Sequence, residues 1–220
     1  HKFMAIIPAH NEEMVVGNLI ESLKNQTYDK NLYDIYVIAD NCTDKTAEVA
    51  RKAGAIVYER FDNAHKTKGY ALQWFLKQKI EENADYDAFC VFDADNIVDK
   101  NFFKAMNKKL CQGEEVVQGY RDIKNPSDSW VSAGYAIFYW TMNRFYHLAR
   151  YNLGLSPLII SASDPRYFFQ SLTCVVFPVP LGAVKIYPAR FHATNAPCIK
   201  NLFLSGNSSA IFKSVMIISI

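Results

Sequence analysis

The sequence predicts an α/β protein built on a mostly parallel sheet with helices on both faces. Short apolar runs alternate four times with segments whose apolar residues recur at helical spacing. A helix in each crossover returns the chain right-handedly to the next parallel strand. Polar residues follow the predicted strands at the edge where such sheets bind their ligands. Together these observations favour a ligand-binding α/β domain.

Three strands and two helices are predicted at the start of the chain. A buried strand at 3–7 ends at Pro8, because proline cannot donate to a β-ladder. Residues 11–13 are expected to open a helix, since acidic residues in a first turn face the positive end of its dipole. Three further elements complete this part: a strand at 33–39, a helix from Thr43 or Asp44 to about Ala53, and a strand at 55–58.

The middle of the chain continues the alternation. A polar loop at 61–68 precedes a third helix that begins at Gly69, and the fourth strand at 88–92 leads into two aspartates. The later elements are a helix at 102–110, a short strand at 115–119, and a long aromatic helix from a Ser127 or Ser129 cap through Arg150. Its aromatic residues indicate core or membrane-facing packing, or less commonly a sugar platform: Tyr135, Phe138, Tyr139, Trp140, Phe145 and Tyr146.

Composition limits the function classes open to this chain. With 220 residues, half of them apolar, and a net charge of +2, it suits one globular domain and gives no electrostatic basis for binding nucleic acid. Five scattered cysteines without a CxxC pair favour free thiols in a reducing compartment. The sequence contains no run of about 18 apolar residues, which is the length that would predict a membrane span. Because the first residue is His1, the chain is expected to begin inside a longer gene product.

Two aspartates directly follow the fourth predicted strand. Asp93 and Asp95 are spaced so that their carboxylates can converge where the strand relaxes into a turn. Mg²⁺ and Mn²⁺ take oxygen ligands, typically one or two carboxylates together with substrate phosphates. Neither GxGxxG nor GxxxxGK(S/T) occurs, so a diphosphate bound here would need a metal to neutralise its charge. The alternative is that Asp95 or Asp99 caps a helix and Asp93 lies in a turn.

Four motifs occur in a recognisable order. They are Ile-Pro-Ala-His-Asn-Glu-Glu at 7–13, Ala-Asp-Asn-Cys-Thr-Asp at 39–44, Lys68-Gly69, and Phe-Asp-Ala-Asp at 92–95. This set resembles family 2 glycosyltransferases of the GT-A fold. Within that family it is most similar to the bacterial membrane-associated branch that builds polysaccharides and glycolipids. The resemblance covers about residues 3–160 and implies a nucleotide-sugar-binding GT-A domain at 1–160.

The resemblance implies a role for each matching residue. The pocket of a nucleotide-sugar donor, commonly a UDP-sugar, would be lined by Pro8, Ala9, Glu12, Asp40, Lys68 and Asp93. Asp40 would accept a hydrogen bond from the base, which suits the N–H donor of an imide. Asp95, with Asp93, would hold Mg²⁺ or Mn²⁺ and thereby stabilise the leaving diphosphate. Each residue also has a structural alternative, as a strand end, a helix-dipole partner, a turn residue or a solvated loop lysine.

The implied reaction is metal-dependent transfer of a hexose, with inversion, from the UDP-sugar to a glycan or lipid acceptor. Residues 118–121 stand where the family places acceptor-side residues. The complete protein would work at the cytoplasmic face of a membrane, attached through flanking segments absent from this chain, which by itself would be cytoplasmic. A sugar-phosphate nucleotidyltransferase is disfavoured, because a glycine-rich, arginine-bearing loop is absent after the first strand.

The resemblance stops near residue 160. The Glu-Asp pair expected to supply the general base is absent after Ile160, and the only later acid is Asp164, so the catalytic base stays unknown. Residues 161–220 carry five basic residues, one acidic residue and five of the eight prolines, without helical or strand periodicity. We therefore expect an aberrant or divergent tail there, and a truncated or catalytically impaired enzyme. The alternative is a nucleotide-sugar binding module without turnover.

Overall fold

The computed structural model describes residues 1–114, 117 and 119–153, and these form a four-stranded parallel sheet flanked by helices. The strand order is β3-β2-β1-β4, and every strand pairing is parallel. The strands are β1 (Phe3–Ala9), β2 (Tyr33–Asp40), β3 (Ile56–Arg60) and β4 (Ala88–Val91). The predicted α/β class is confirmed.

Six α-helices are found in the described part of the chain. They are α1 (Val16–Lys24), α2 (Thr46–Lys52), α3 (Lys68–Glu81), α4 (Phe102–Cys111), α5 (Trp130–Thr141) and α6 (Leu148–Asn152). A 3₁₀ turn at Lys30–Leu32 precedes β2, and a π-helical segment at Met142–His147 joins α5 to α6. Helices α1 to α4 follow strands β1 to β4 in turn, as the alternation in the sequence predicts.

The aromatic contacts show that helices cover both faces of the sheet. Phe103 of α4 packs on Tyr33, with ring centroids 4.8 Å apart, whereas Phe75 of α3 packs on Tyr36 at 5.3 Å. Tyr33 and Tyr36 are three residues apart in β2, so their side chains point to opposite faces. Helices α4 and α3 therefore lie on opposite sides of the sheet.

Helix α1 lies on the same side as α4. Gln26, just beyond α1, donates from Nε2 to the carbonyl oxygen of Asp99 at 2.7 Å, and its Oε1 accepts from the backbone N–H of Phe103 at 3.3 Å. Gln26 is buried, so both ends of its amide are paired where water cannot reach them. The central strand β1 is buried along its whole length between these layers.

Several boundaries differ from the predicted ones. Strand β1 was predicted to end at Pro8, but it continues through Pro8 to Ala9, in register with the end of β2. Helix α1 begins at Val16 rather than at 11–13, and α2 begins at Thr46 rather than after Thr43 or Asp44. The reason is that the residues before α1 and before α2 hydrogen-bond to one another and so join the loop after β1 to the loop after β2. Strand β3 continues two residues past Tyr58, to Arg60, because Glu59 and Arg60 pair with the end of β2. Helix α3 includes Lys68, which was predicted to be a loop residue.

The aromatic helical segment is capped as predicted, since the Ser129 hydroxyl accepts from the backbone N–H of Ser132 at 3.1 Å. Its side chains are largely exposed, with Trp130 at 86%, so the prediction of core packing is wrong within the described residues. Helix α5 is apolar around its circumference, and periodicity alone cannot assign such a helix to a core. None of the helices in the described part of the chain has the length and apolar character that a membrane crossing requires.

Some predictions fall on residues that the structure does not describe. The strand expected at 115–119 is represented by Val117 and Gly119 alone, and Gln118 of the acceptor-side segment is outside the described residues. Asp164 and the whole of 161–220 are outside them as well. The three cysteines that are described, Cys42, Cys90 and Cys111, form no disulfide bond with one another.

Candidate nucleotide-binding site

A cavity of about 670 Å³ opens at the carboxyl edge of the sheet, where β1, β2 and β4 end. All seven residues predicted for the donor and metal site line it: Pro8, Ala9, Glu12, Asp40, Lys68, Asp93 and Asp95. They meet there because the carboxyl ends of parallel strands share one edge of a sheet. The volume lies within the usual range for small-molecule and cofactor pockets.

Two asparagines shape the loops around the cavity. Asn11 (φ 56°) and Asn41 (φ 51°) both adopt the left-handed conformation that asparagine tolerates better than most residues. The Oδ1 of Asn11 accepts from the backbone N–H of Thr43 at 2.8 Å, which ties the loop after β1 to the loop after β2. The Oδ1 of Asn41 accepts from the backbone N–H of Asp62 at 2.9 Å, which extends the tie to the loop after β3.

Asp40 is held by a partner that the sequence did not reveal. Its Oδ1 accepts from Nη1 of Arg60 at 2.6 Å, and both residues are buried, with 7% and 6% of their surface exposed. The two residues are register partners at the ends of β2 and β3. The guanidinium compensates the charge of a carboxylate that would otherwise be costly to bury. The sequence carries no local signal for this pairing, because Arg60 follows the apolar run of the third strand by two positions and resembles a loop residue.

Asp93 and Asp95 lie on either side of a buried alanine. Ala94 packs in the core, so the two carboxylates beside it project toward the cavity. Asp93 forms an ion pair with Lys68 at the start of α3. The Nζ of Lys124 donates to the backbone carbonyl oxygen of Asp95 and leaves the Asp95 carboxylate out of that contact. This arrangement places a positive side chain and two carboxylates in one wall.

The cavity carries an excess of negative charge near Glu12. Burial raises the pKa of Glu12, and the nearby carboxylates of Asp95 and Asp44 raise it further, against the opposing effect of His10 and Lys68. In the described part of the chain, no three His, Cys, Asp or Glu side chains converge to complete a metal site from protein alone. A pair of carboxylates in a negative cavity fits Mg²⁺ or Mn²⁺, since such ions are typically held by one or two carboxylates and substrate phosphates.

Two neighbouring residues have structural roles. Nδ1 of His10 donates to the carbonyl oxygen of Asp40 at 2.7 Å, because a carbonyl oxygen can only accept. The Oδ1 of Asp44 accepts from the backbone N–H of Thr46 at 3.0 Å and from its hydroxyl at 2.6 Å, an Asx-type turn just before α2, whose N-cap residue is Lys45. Asn63 and Lys66, which also line the cavity, were not predicted.

The raised pKa of Glu12 makes stability depend on pH. A carboxyl group with a raised pKa in the folded state contributes stability that is present below its unfolded value, 4.5, and is lost as the pH rises through the folded value. Glutamine cannot ionise, so Glu12→Gln does not lose this stability as the pH rises. We therefore expect the variant to unfold at a higher temperature than wild type at about pH 7, and at the same temperature as wild type at about pH 4. Thermal unfolding followed by circular dichroism measures both.

Glu12→Asp is the matched control for that substitution. It keeps a carboxylate near Asp95 and Asp44, so we expect the pH dependence of its unfolding temperature to follow wild type. A Glu12→Gln variant that shows no gain in stability at the higher pH would contradict the raised pKa of Glu12, which has burial as its first cause and the neighbouring carboxylates as its second.

The fold and the cavity define an α/β protein whose parallel sheet presents an acidic, ligand-sized pocket at its carboxyl edge. The chain belongs to glycosyl transferase family 2, whose profile matches residues 4–173. The match takes in all four motifs and every residue predicted for the donor and metal site. The family resemblance in the sequence is therefore confirmed.

Curated relatives match parts of the chain. The "Probable glycosyltransferase YdaM" of Bacillus subtilis is 33% identical over 105 residues, which is 45% of this chain and 24% of the relative. The "Low-salt glycan biosynthesis hexosyltransferase Agl6" of Haloferax volcanii is 34% identical over 93 residues, which is 42% of this chain and 22% of the relative. The chain thus spans about a quarter of the length of these relatives.

Solved structures show a partial likeness. TarS of S. aureus in complex with UDP-GlcNAc aligns with a TM-score of 0.49 and 21% identity, over 56% of this chain and 36% of that one. Glucosyl-3-phosphoglycerate synthase of Mycobacterium tuberculosis, in complex with Mn²⁺, UDP-glucose and phosphoglyceric acid, aligns with a TM-score of 0.45 and 26% identity. That alignment covers 55% of this chain and 44% of the synthase.

Proposed function

We propose that the described part of the chain binds a UDP-sugar together with Mg²⁺ or Mn²⁺. The observation that carries this proposal is the meeting of Asp40, Lys68, Asp93 and Asp95 in one cavity of a family 2 glycosyltransferase. Asp40 offers a hydrogen-bond acceptor and Lys68 offers a cation. Asp93 and Asp95 offer carboxylates of the kind that bind divalent metal ions. A base, a diphosphate and a divalent ion need that combination of groups.

Each residue acts on a different part of the donor. Asp40 accepts the N–H of the uracil imide, and Lys68 places positive charge and the first turn of α3 beside the diphosphate. Asp93 and Asp95 would hold the metal ion, with Asp93 nearer the ribose. Bound there, the ion would act as a Lewis acid that stabilises the charge of the departing diphosphate.

The complete protein, in this proposal, transfers a hexose from the donor to a glycan or lipid acceptor with inversion. Support comes from membership of the family and from the hexosyltransferase name of one relative. The general base is not among the residues assigned here, and Asp164 is outside the described residues. The second candidate is a nucleotide-sugar binding module without turnover, favoured by the missing Glu-Asp pair after residue 160.

We place the complete protein at the cytoplasmic face of a membrane, in a polysaccharide or glycolipid pathway. The exposed apolar side chains of the segment from α5 to α6 support this placement, including Trp130, Ile137 and Phe145. Apolar patches of this kind commonly mark protein or membrane contacts. Sedimentation of the chain with phospholipid vesicles tests the idea, and a chain that stays in the supernatant would count against direct contact.

Isothermal titration of the chain with UDP, in Mn²⁺ and in EDTA, tests the binding proposal. We expect binding in Mn²⁺ and a large loss of affinity in EDTA, because the ion neutralises the diphosphate between two carboxylates. Absence of binding in both buffers would refute the proposal. Transfer of a radiolabelled sugar from UDP-hexose to a membrane lipid extract then separates an enzyme from a binding module.

A further inference from the structure

Arg60 is a buried cation placed beside the residue proposed to read the base. It ends β3, is 6% exposed, and donates from Nη1 to Oδ1 of Asp40 at 2.6 Å. Asn41 donates from Nδ2 to the same oxygen at 3.1 Å. Among the residues that the structure describes, no donor contacts Oδ2 of Asp40. One carboxylate oxygen is therefore fixed by the protein, while the other remains available to a ligand in the cavity.

The same guanidinium holds the loop that follows β3. Nη1 also donates to the carbonyl oxygen of His65 at 3.0 Å, and Nη2 donates to Oδ2 of Asp62 at 2.8 Å. Asp62 in turn accepts from the backbone N–H groups of Ala64 at 2.9 Å and His65 at 3.2 Å. This loop supplies Asn63 and Lys66 to the cavity wall and leads into Lys68. Arg60 thus connects the base acceptor to the segment that approaches the phosphates.

The planar shape of the side chain matters for this connection. Arginine presents several N–H donors in a rigid fork, and here they reach a carboxylate, a carbonyl and a second carboxylate at once. Lysine could keep the charge but offers a single ammonium that cannot span all three acceptors. The arrangement therefore serves orientation in addition to charge compensation.

We propose that Arg60 is a positioning residue that sets the base specificity of the site. It holds Asp40 so that Oδ2 faces the cavity as an acceptor, which pairs with the N–H of uracil and opposes the bare N3 acceptor of cytosine. It also fixes the loop at 61–67 around the nucleotide. This inference rests on the proposed binding of a uridine nucleotide at the cavity.

Arg60→Lys in the full chain tests the inference, with UDP and CDP titrated in Mn²⁺. We expect wild type to prefer UDP, and the variant to lose about 10–100-fold in UDP affinity, the usual effect of losing charge-assisted hydrogen bonds. The ratio of UDP to CDP affinity is expected to fall toward one, because Asp40 is no longer held in one orientation. Arg51→Lys is the matched control, since Arg51 forms an exposed ion pair with Glu59 outside the cavity.

The outcomes distinguish a failure of the role of Arg60 from a failure of the proposed UDP-sugar binding. A folded Arg60→Lys variant with wild-type UDP affinity and an unchanged UDP to CDP ratio overturns the role of Arg60 alone. A wild-type chain that binds no UDP overturns the proposed function as well. If Arg60→Lys does not fold, Asp62→Ala keeps the buried pair and removes the side-chain hydrogen bonds of Asp62 to Arg60, Ala64 and His65, so it is expected to loosen the loop and weaken UDP binding. Unchanged affinity in Asp62→Ala then overturns the link to the loop.

Discussion

Asp95→Asn is expected to abolish the metal-dependent part of UDP binding, with a loss of at least about 100-fold in affinity. Substitution of groups that only support a metal ligand typically costs about 10–100-fold, so loss of a direct ligand should cost at least as much. The amide keeps the size of the side chain and removes its negative charge. Isothermal titration with UDP at a fixed Mn²⁺ concentration measures the loss.

The fold should tolerate that substitution, because the Asp95 side chain is exposed and its backbone carbonyl keeps the contact from Lys124. Asp85→Asn is the matched control, since Asp85 is an exposed aspartate outside the cavity lining. The control should bind UDP as wild type does. An Asp95→Asn variant with unchanged, Mn²⁺-dependent affinity would remove Asp95 from the metal site.

Phe103→Ala is expected to lower the free energy of unfolding by about 3–5 kcal/mol, the usual cost of removing a buried phenylalanine from a core. Phe103 is fully buried, and its ring contacts Phe3 of β1 at 5.2 Å and Tyr33 of β2 at 4.8 Å between centroids. The substitution therefore leaves a cavity where α4 meets the sheet. Chemical denaturation at equilibrium measures the change.

Phe61→Ala provides the comparison for that loss. Phe61 is exposed in the loop after β3, and an exposed substitution of this kind usually changes stability by less than about 0.5 kcal/mol. A Phe103→Ala variant as stable as Phe61→Ala would show that α4 does not close this part of the core.

Much of the site could be predicted because the motifs stand at strand ends. Pro8, Asp40 and Asp93 follow apolar runs, and in a parallel sheet the residues after such runs share one edge. Sequence spacing therefore brought together residues that are more than 80 positions apart in the chain. The roles assigned to them came from the family resemblance, and those roles stay predictions until binding is measured.

Arg60 could not be predicted from local pattern. The apolar run of β3 ends at Tyr58, so Glu59 and Arg60 resembled the start of a polar loop. Only the register of β2 with β3 places Arg60 beside Asp40, and register is a property of the assembled sheet. The late start of α1 has a similar cause, because Asn11 takes a left-handed conformation to bond the neighbouring loop.

A crystal structure of the chain with UDP and Mn²⁺ tests the central claim most directly. The account predicts an anomalous manganese peak in contact with the carboxylate of Asp95, and uracil N3 within hydrogen-bond distance of Oδ2 of Asp40. Manganese bound away from Asp95, or a uracil ring that does not reach Asp40, would contradict it.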